Sequence, residues 1–287
     1  MTARRRALSF SSYPVYNFAM DKHLVVKSNE VIEANYTLSL VEQRVLLMCI
    51  GQINSKDKLK KTDEFKLYPS EYMRLCDVTK QAAYRDIKQA SEKLFNRVVF
   101  IRDKRSGGYL KTRWVYAIRY EDNQGYLTLS FSPAILPYLS EIEGYYTEYN
   151  IRNISKMSSL YAIRLYEMVK QWERGWVEIS VDDFRKRLCL GNDYSRVYDL
   201  KKHVIDSSIK EINSKSDITV SFEQKKTSRR ITHFVFKHKL NTANSDKKKN
   251  TSIKSLNDRI NKFVSENPDR TRGKTRDEVI AMLRDEN

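Results

Sequence analysis

The chain has 287 residues, 40% of them hydrophobic, with 53 Lys and Arg against 36 Asp and Glu, so the formal net charge is +17 and the pI is near 9.6. That is apolar material enough for one or two domains, and the sign of the charge points to a polyanionic partner. No stretch approaches the roughly 18 apolar residues of a spanning helix, which favours nucleic acid over an anionic membrane.

The opening residues, MTARRRALSFSSYPVYNFAM, are basic but lack a continuous apolar segment and a small-residue cleavage site, so they do not read as a secretory signal. The folded part is expected to begin near Met20, with residues 1–23 as an N-terminal extension. The three cysteines, Cys49, Cys76 and Cys189, are odd in number, far apart and each in an apolar run. This suggests buried thiols in a reducing cytosol and not a disulfide framework.

Residues 39–54, SLVEQRVLLMCIGQIN, predict an amphipathic helix with Val41, Val45, Leu46, Met48, Cys49 and Ile53 inward. A short strand, EFKLY, comes next, then a helix from Pro69 to Cys76, a DVT turn, and a longer helix from Lys80 to Asn96 with Thr79 as its N-cap. Ala83, Ile87, Ala90 and Leu94 form the buried stripe of that helix, which leaves Gln81, Arg85, Lys88 and Gln89 outside. Three strand-like segments follow, RVVFIRD, TRWVYAIRY and GYLTLSF, separated by KRSGGY and EDNQ turns and expected to make one sheet.

From Ser158 the order begins again: helix SSLYAIRLYEMVKQW, strand WVEIS, helix VDDFRKRLCL, turn GNDYS, a long helix over 195–213, and strands DITVSFE and ITHFVFKH around the hairpin QKKTSRR. Even the tripeptide RLC recurs, at 74–76 and 187–189. The repeat reads as an internal duplication of a helix-turn-helix followed by a β-hairpin. The expected fold class is therefore α+β, two tandem winged-helix domains over 24–150 and 151–240, with a basic linker and short helical tail over 241–287. That tail shows a DKKKN run, an amphipathic pattern through Ile253, Leu256, Ile260 and Phe263, and a Thr275 to Glu278 capping box.

A helix-turn-helix lays its second helix in the major groove. In the second copy that helix gathers Val197, Leu200, Val204, Ile205, Ser208, Ile209 and Ile212 on its core side, with Arg196, Asp199, Lys202, His203, Asp206 and Lys210 opposite. Arg196 has the planar fork that pairs with guanine O6 and N7, and Lys202 offers a point charge to a base or a phosphate. Asp199 either serves base reading, by accepting from cytosine N4 or orienting a neighbouring Arg, or complements the helix dipole in the first turn. Tyr194, Ser195, Lys201 and His203 are candidate phosphate contacts.

The hairpin adds Lys225, Lys226, Arg229 and Arg230, suited to the backbone or a minor groove. Residues 195–240 hold 11 Lys and Arg against 5 Asp and Glu, a net of +6. In the first copy Lys80, Gln81, Arg85 and Lys88 suit phosphates, and the edges of its sheet offer a pairing surface for a second subunit.

These segments together resemble the replication initiator proteins of iteron-containing bacterial plasmids. The resemblance runs through LVVKSNEVIEANYTLSLVEQRVLLMCIGQI at 24–53, AIRLYEMVKQW, RVYDLKKHVIDSSIKEINSKSDI and FEQKKTSRRITHFVF, and covers about 24–240. It implies that the second winged helix binds each directly repeated origin site, with Arg196, Asp199 and Lys202 at base-contacting positions. It also implies that the first domain adds backbone contacts and the dimer interface. Monomers would open the origin and recruit host replication proteins, a helicase and the host initiator, while dimers repress the initiator's own promoter.

A winged-helix transcriptional regulator without a replication role fits the same residues. A nicking enzyme fits less well, because His23, His203, His233 and His238 lack the spacing of a metal-holding pair beside a nucleophilic tyrosine. RGKT at 272–275 resembles the end of a phosphate-binding loop, but Pro268 stands where its first glycine belongs. The reading calls for no cofactor, no metal, no catalytic residue and no membrane, in a cytoplasmic bacterial protein.

Overall fold

The structure is a computed structural model that describes residues 24–102, 107–121, 125–142 and 144–241, together with Phe263 and Asn267. The first unit opens with β1 (Leu24–Ser28), α1 (Asn29–Glu33) and β2 (Asn35–Tyr36). Helix α2 (Leu40–Ile50) starts at a capping box in which the Ser39 hydroxyl accepts from Glu42 N and the Glu42 carboxylate accepts from Ser39 N. Arg97 closes on the same carboxylate at 2.9 and 3.0 Å, and α2 from Val45 to Ile50 is buried all round, making it the central helix of the unit.

Strand β3 (Phe65–Leu67), helix α3 (Pro69–Cys76) and helix α4 (Lys80–Leu94) follow. Asp77, with φ 56, turns the chain between the two helices, and Thr79 caps α4 by accepting from Ala82 N at 3.3 Å. Ala83, Ile87, Ala90 and Leu94 are all buried, as their spacing requires.

The expected single sheet of three segments is instead divided between two sheets. Strands β4 (Val98–Arg102) and β5 (Tyr109–Arg113) join β2 in the order β2-β4-β5, whereas β6 (Val115–Glu121) and β7 (Tyr126–Phe131) join β3 in the order β3-β7-β6. The segment TRWVYAIRY therefore breaks at Trp114. Trp114, fully buried, is the joint between the two sheets: its N–H donates to the Arg97 carbonyl at 3.2 Å, just before β4, and its carbonyl accepts from Ser132 N at 2.9 Å, just after β7. Tyr36 meets the indole edge-on at 5.1 Å. Strand β8 (Tyr146–Asn150) pairs antiparallel with β1 and completes the unit.

The second unit runs α5 (Leu160–Lys170), β9 (Trp176–Ser180), α6 (Val181–Arg187), α7 (Val197–Leu200), a π-helical stretch over Lys201–Asp206, α8 (Ser207–Lys215), β10 (Ile218–Thr227) and β11 (Arg230–Leu240). Its sheet has the order β10-β11-β9. In both units the short strand before the helix-turn-helix pairs with the second strand of the hairpin after it, so the duplication extends to sheet topology. The RLC tripeptide, by contrast, lies one residue out of register. The left-handed residue that ends the middle helix is Asp77 in one unit and Cys189 in the other, so the counterpart of Cys76 is Leu188, each 8% exposed. Cys189 is exposed, contrary to its apolar flanks, because its φ of 51 carries it out of the helix; Cys49 and Cys76 are buried.

The two units share one apolar core and a buried polar seam. Lys27 of β1 reaches Glu167 of α5 at 2.5 Å with both side chains out of water, and the Tyr149 hydroxyl donates to the same carboxylate oxygen. Arg164 of α5 lies 4.1 Å over the Tyr36 ring and donates to the carbonyls of Ala34 and Arg187, each at 3.0 Å. A buried ion pair offers little net stability over an apolar pair, but a single survivor of it is costly, so the seam fixes how the units sit. Of the tail, Phe263 is buried and helical; the Ile253, Leu256 and Ile260 pattern, the capping box and residues 1–23 lie outside the described residues.

Candidate nucleic-acid interface

Helices α6 to α8 and the β10-β11 hairpin carry most of the sequence-singled residues. Val204, Ile205, Ser208 and Ile212 are buried and Val197 and Ile209 half-buried, so the core side of the long helix is the one expected, over Val197–Lys215 instead of 195–213. Arg196, Lys202, His203, Asp206 and Lys210 are exposed. Arg196 is the N-cap residue of α7; its Nε donates to Asp199 Oδ2 at 2.8 Å while 81% of the side chain stays in solvent. Asp199 thus orients Arg196 and also lies in the first helical turn. With Nε engaged, the two terminal amino groups of the fork remain for an outside acceptor pair.

The π-helical stretch has a cause in the sequence. At about 100° per residue, Val197, Leu200 and Val204 centre about 100° away from Ile205, Ser208, Ile209 and Ile212, an offset of one residue. One extra residue taken up by a π turn cancels that offset and lets both groups face the core. Lys202 and His203 lie within this stretch.

Tyr194 and His203 stack on each other, with centroids 6.1 Å apart and planes at 27°, and Tyr161 meets Tyr194 edge-on at 6.4 Å. Ser195 is exposed and Lys201 half-buried. The hairpin is tighter than QKKTSRR suggested: Thr227 pairs with Arg230, and only Ser228 and Arg229 form the loop, with Ser228 at φ 56. Lys225, Lys226 and Arg230 therefore belong to strands, with a register shift between Lys225 and Lys226. All four hairpin cations are exposed, but Lys225 is paired with Glu178 of β9. The hydrogen bond from Lys225 holds the Glu178 carboxyl below the usual carboxylate range, against a weaker effect of desolvation and with help from the Lys225 and His233 charges. Lys226, Arg229 and Arg230 have no ion-pair partner among the described residues.

In the first unit Lys80, Gln81, Arg85 and Lys88 line the exposed side of α4. Arg85 pairs with Asp86 at 3.0 Å, and Lys88 lies 6.0 Å over the Tyr120 ring. Arg85 and Lys88 also line a cleft of about 560 Å³ between α4 and the β6-β7 hairpin, with Tyr84, Tyr120 and Tyr126.

Sequence reasoning missed the residues that hold the long helix in place. Arg185 of α6 donates to three carbonyls of the turn before α7. Glu211 of α8 accepts from the backbone N–H of Ser158 at 3.1 Å and of Ser159 at 3.0 Å, and from Lys215 at 2.7 Å, which ties α8 to the start of α5. Burial alone would raise the Glu211 pKa, but these hydrogen bonds outweigh it and hold the carboxyl below its ordinary value. Neither residue has a sequence signal, since a polar residue bonded to distant backbone looks like any solvated one. Among the described residues no group of three or more His, Cys, Asp and Glu is placed to hold a metal, and no helix is long and apolar enough to cross a membrane.

Two family profiles match the chain, Initiator Replication protein, WH1, over residues 24–170 and Initiator Rep protein, WH2, over residues 180–238. The chain is similar to a Replication initiation protein of Escherichia coli, 25% identical over 214 residues that cover 72% of this chain and 67% of that one. It is also similar to the PI protein of Escherichia coli, 26% identical over 236 residues covering 70% of this chain and 77% of that one. Its fold is like that in the crystal structure of Pi initiator protein in complex with iteron DNA, with a TM-score of 0.68 and 24% identity over 77% of this chain and 98% of that chain.

Proposed function

The chain belongs to the initiator replication protein family, whose two winged-helix domains it carries, and we propose that it is a plasmid initiator that reads directly repeated double-stranded DNA sites with α7 and α8. The observation that carries this reading is Arg196, solvent-exposed at the start of the helix and held by Asp199 with its terminal amino groups outward. That geometry suits guanine O6 and N7 in a major groove. Lys202, exposed on the same helix, offers its charge to a base or a phosphate; Lys226, Arg229 and Arg230 of the hairpin suit phosphates or the minor groove, and Lys201, Ser195, Tyr194 and His203 the backbone. Lys80, Gln81, Arg85 and Lys88 of α4 add sequence-independent grip through the first domain. The Pi initiator in complex with iteron DNA, a protein of the same fold, supports the choice of repeated duplex sites as target.

In this proposal monomers on adjacent repeats bend the duplex and focus the strain on a weak segment, which needs no catalytic residue in this chain. The chain also forms a dimer through the first domain, where β5 is an edge strand of the β2-β4-β5 sheet. The dimer represses the initiator's own promoter, and the monomer recruits host replication proteins in the bacterial cytoplasm. The test is a selection from random duplexes and fragmented plasmid DNA at physiological salt. Enrichment of direct repeats spaced near whole helical turns is expected, with an inverted copy near a promoter. Enrichment of the inverted site alone would leave a transcriptional regulator, and retention without any motif would end the specific reading.

A further inference from the structure

The turn between α6 and α7 is built on left-handed backbone at Cys189 (φ 51), Gly191 (φ 51) and Tyr194 (φ 52). Two of those positions carry side chains in a region that favours glycine, and such a conformation persists only where its surroundings over-determine it. Arg185 does so from α6. Its Nη1 donates to the Tyr194 carbonyl at 2.8 Å, and its Nη2 donates to the carbonyls of Gly191 at 2.8 Å and Asp193 at 2.7 Å. A planar guanidinium with fixed N–H directions suits several acceptors at once, whereas an ammonium is a single point. Tyr194, gripped at its carbonyl, has its ring between Tyr161 and His203. Only Ser195 separates it from Arg196, the N-cap residue of α7.

We infer that Arg185 is a positioning residue for base reading: it sets where α7 begins and hence the direction in which Arg196 leaves the helix. This deepens the proposed reading of α7 and α8 and rests on it. The cation is used on backbone carbonyls, so its contribution is to geometry and not to the attraction of DNA. Loss of the clasp frees the turn to relax toward ordinary backbone angles, and the first turn of the recognition helix relaxes with it.

Arg185→Lys keeps the net charge and removes the fork. The discrimination ratio, affinity for the selected duplex over a scrambled one, is expected to fall about tenfold, the scale of one lost base contact. Affinity for the scrambled duplex and its salt slope should stay as they are. In an Arg196→Ala background the same change should leave the ratio where Arg196→Ala alone puts it, because one residue acts through the other. An unchanged ratio overturns the inference. So do losses that simply add in the double variant, and so does an equal loss on both duplexes with a shallower salt slope. If Arg185→Lys does not fold, Gly191→Ala strains the same turn at φ 51 with no atom within 4 Å of the new Cβ, leaving Arg185 and Arg196 in place. It must lower the same ratio, and again only where Arg196 is present; otherwise the inference falls. A wild-type protein that does not discriminate defeats the recognition-helix reading itself, a result visible before any variant is made.

Discussion

Asp199→Ala should move specific and non-specific DNA binding in opposite directions. The Asp199 carboxylate holds Arg196 Nε at 2.8 Å, with Arg196 81% and Asp199 26% exposed. Without it Arg196 keeps its charge but must be immobilised on the DNA, at about 0.5–1.5 kcal/mol for a rotamer-rich side chain. The discrimination ratio should therefore fall about 2- to 12-fold. At the same time a negative charge leaves the surface proposed to face phosphates. At about 8 Å in water that repulsion is roughly 0.5 kcal/mol per phosphate before screening, so affinity for scrambled duplex should rise by up to about twofold at low salt.

The exposed pair contributes only about 0.2–1 kcal/mol to folding, so the urea midpoint should change little. Fluorescence anisotropy on the selected and the scrambled duplex across a salt series measures both effects. An unchanged ratio would mean that Asp199 serves only the helix dipole. A loss well beyond tenfold, confined to one base pair, would mean that the carboxylate reads a cytosine directly and that the orienting argument is wrong.

Lys226→Ala should weaken binding to every duplex and lower the salt slope by about one, whereas Lys225→Ala, whose ammonium already has Glu178, should lower it by clearly less; equal slopes would refute the distinction. Burial pushes the Cys76 thiol up to about 11 and Cys49 higher still, so a thiol reagent at neutral pH should label Cys189 alone in the folded protein and all three after unfolding. For Glu211 the lowered pKa means a stabilising contribution present above the ordinary carboxylate value of 4.5 and lost as pH falls through the folded value. Glu211→Gln should thus cost roughly 1–2 kcal/mol at pH 7, discounted for partial exposure, and almost nothing near pH 3. Deleting Lys202 removes the extra residue of the π stretch and should leave a folded, uninterrupted α-helix in which Ile205, Ser208, Ile209 and Ile212 keep the core side and Val204 alone turns about 100° off it, with a urea midpoint lowered by the loss of that one buried valine. Deleting Lys210 swings Ile212 about 100° off the core and should cost on the order of 2–5 kcal/mol in a urea melt.

The helix-turn-helix of each unit was legible because its signals are local. An N-cap at Thr79, a turn at DVT or GNDYS, and stripes such as Ala83, Ile87, Ala90 and Leu94 each follow from a few neighbouring residues. The division of the first unit's strands was not legible. Val98–Arg102, Tyr109–Arg113 and Val115–Glu121 all have β character, and what assigns β4 to β2 and β6 to β7 is the register with strands up to 65 residues away in sequence, unmarked by any local feature.

The candidate site divides along the same line. Residues that face outward, Arg196, Lys202, Lys226 and Arg229, are readable from a wheel and a turn because solvent exposure is a property of position in the element. Residues that hold the surface in place, Arg185 and Glu211 on backbone atoms and Glu178 on the Lys225 side chain across the intervening β11, act across 6 to 53 positions of chain. A side chain that grips a carbonyl is chemically the same in the sequence as one that grips water. The two classes should also fail differently: outward residues change what the surface binds, and holding residues change how sharply it chooses. The long helix joins both, since the drift of its apolar stripe demands a π turn, and the π turn in turn decides which way Lys202 and His203 face.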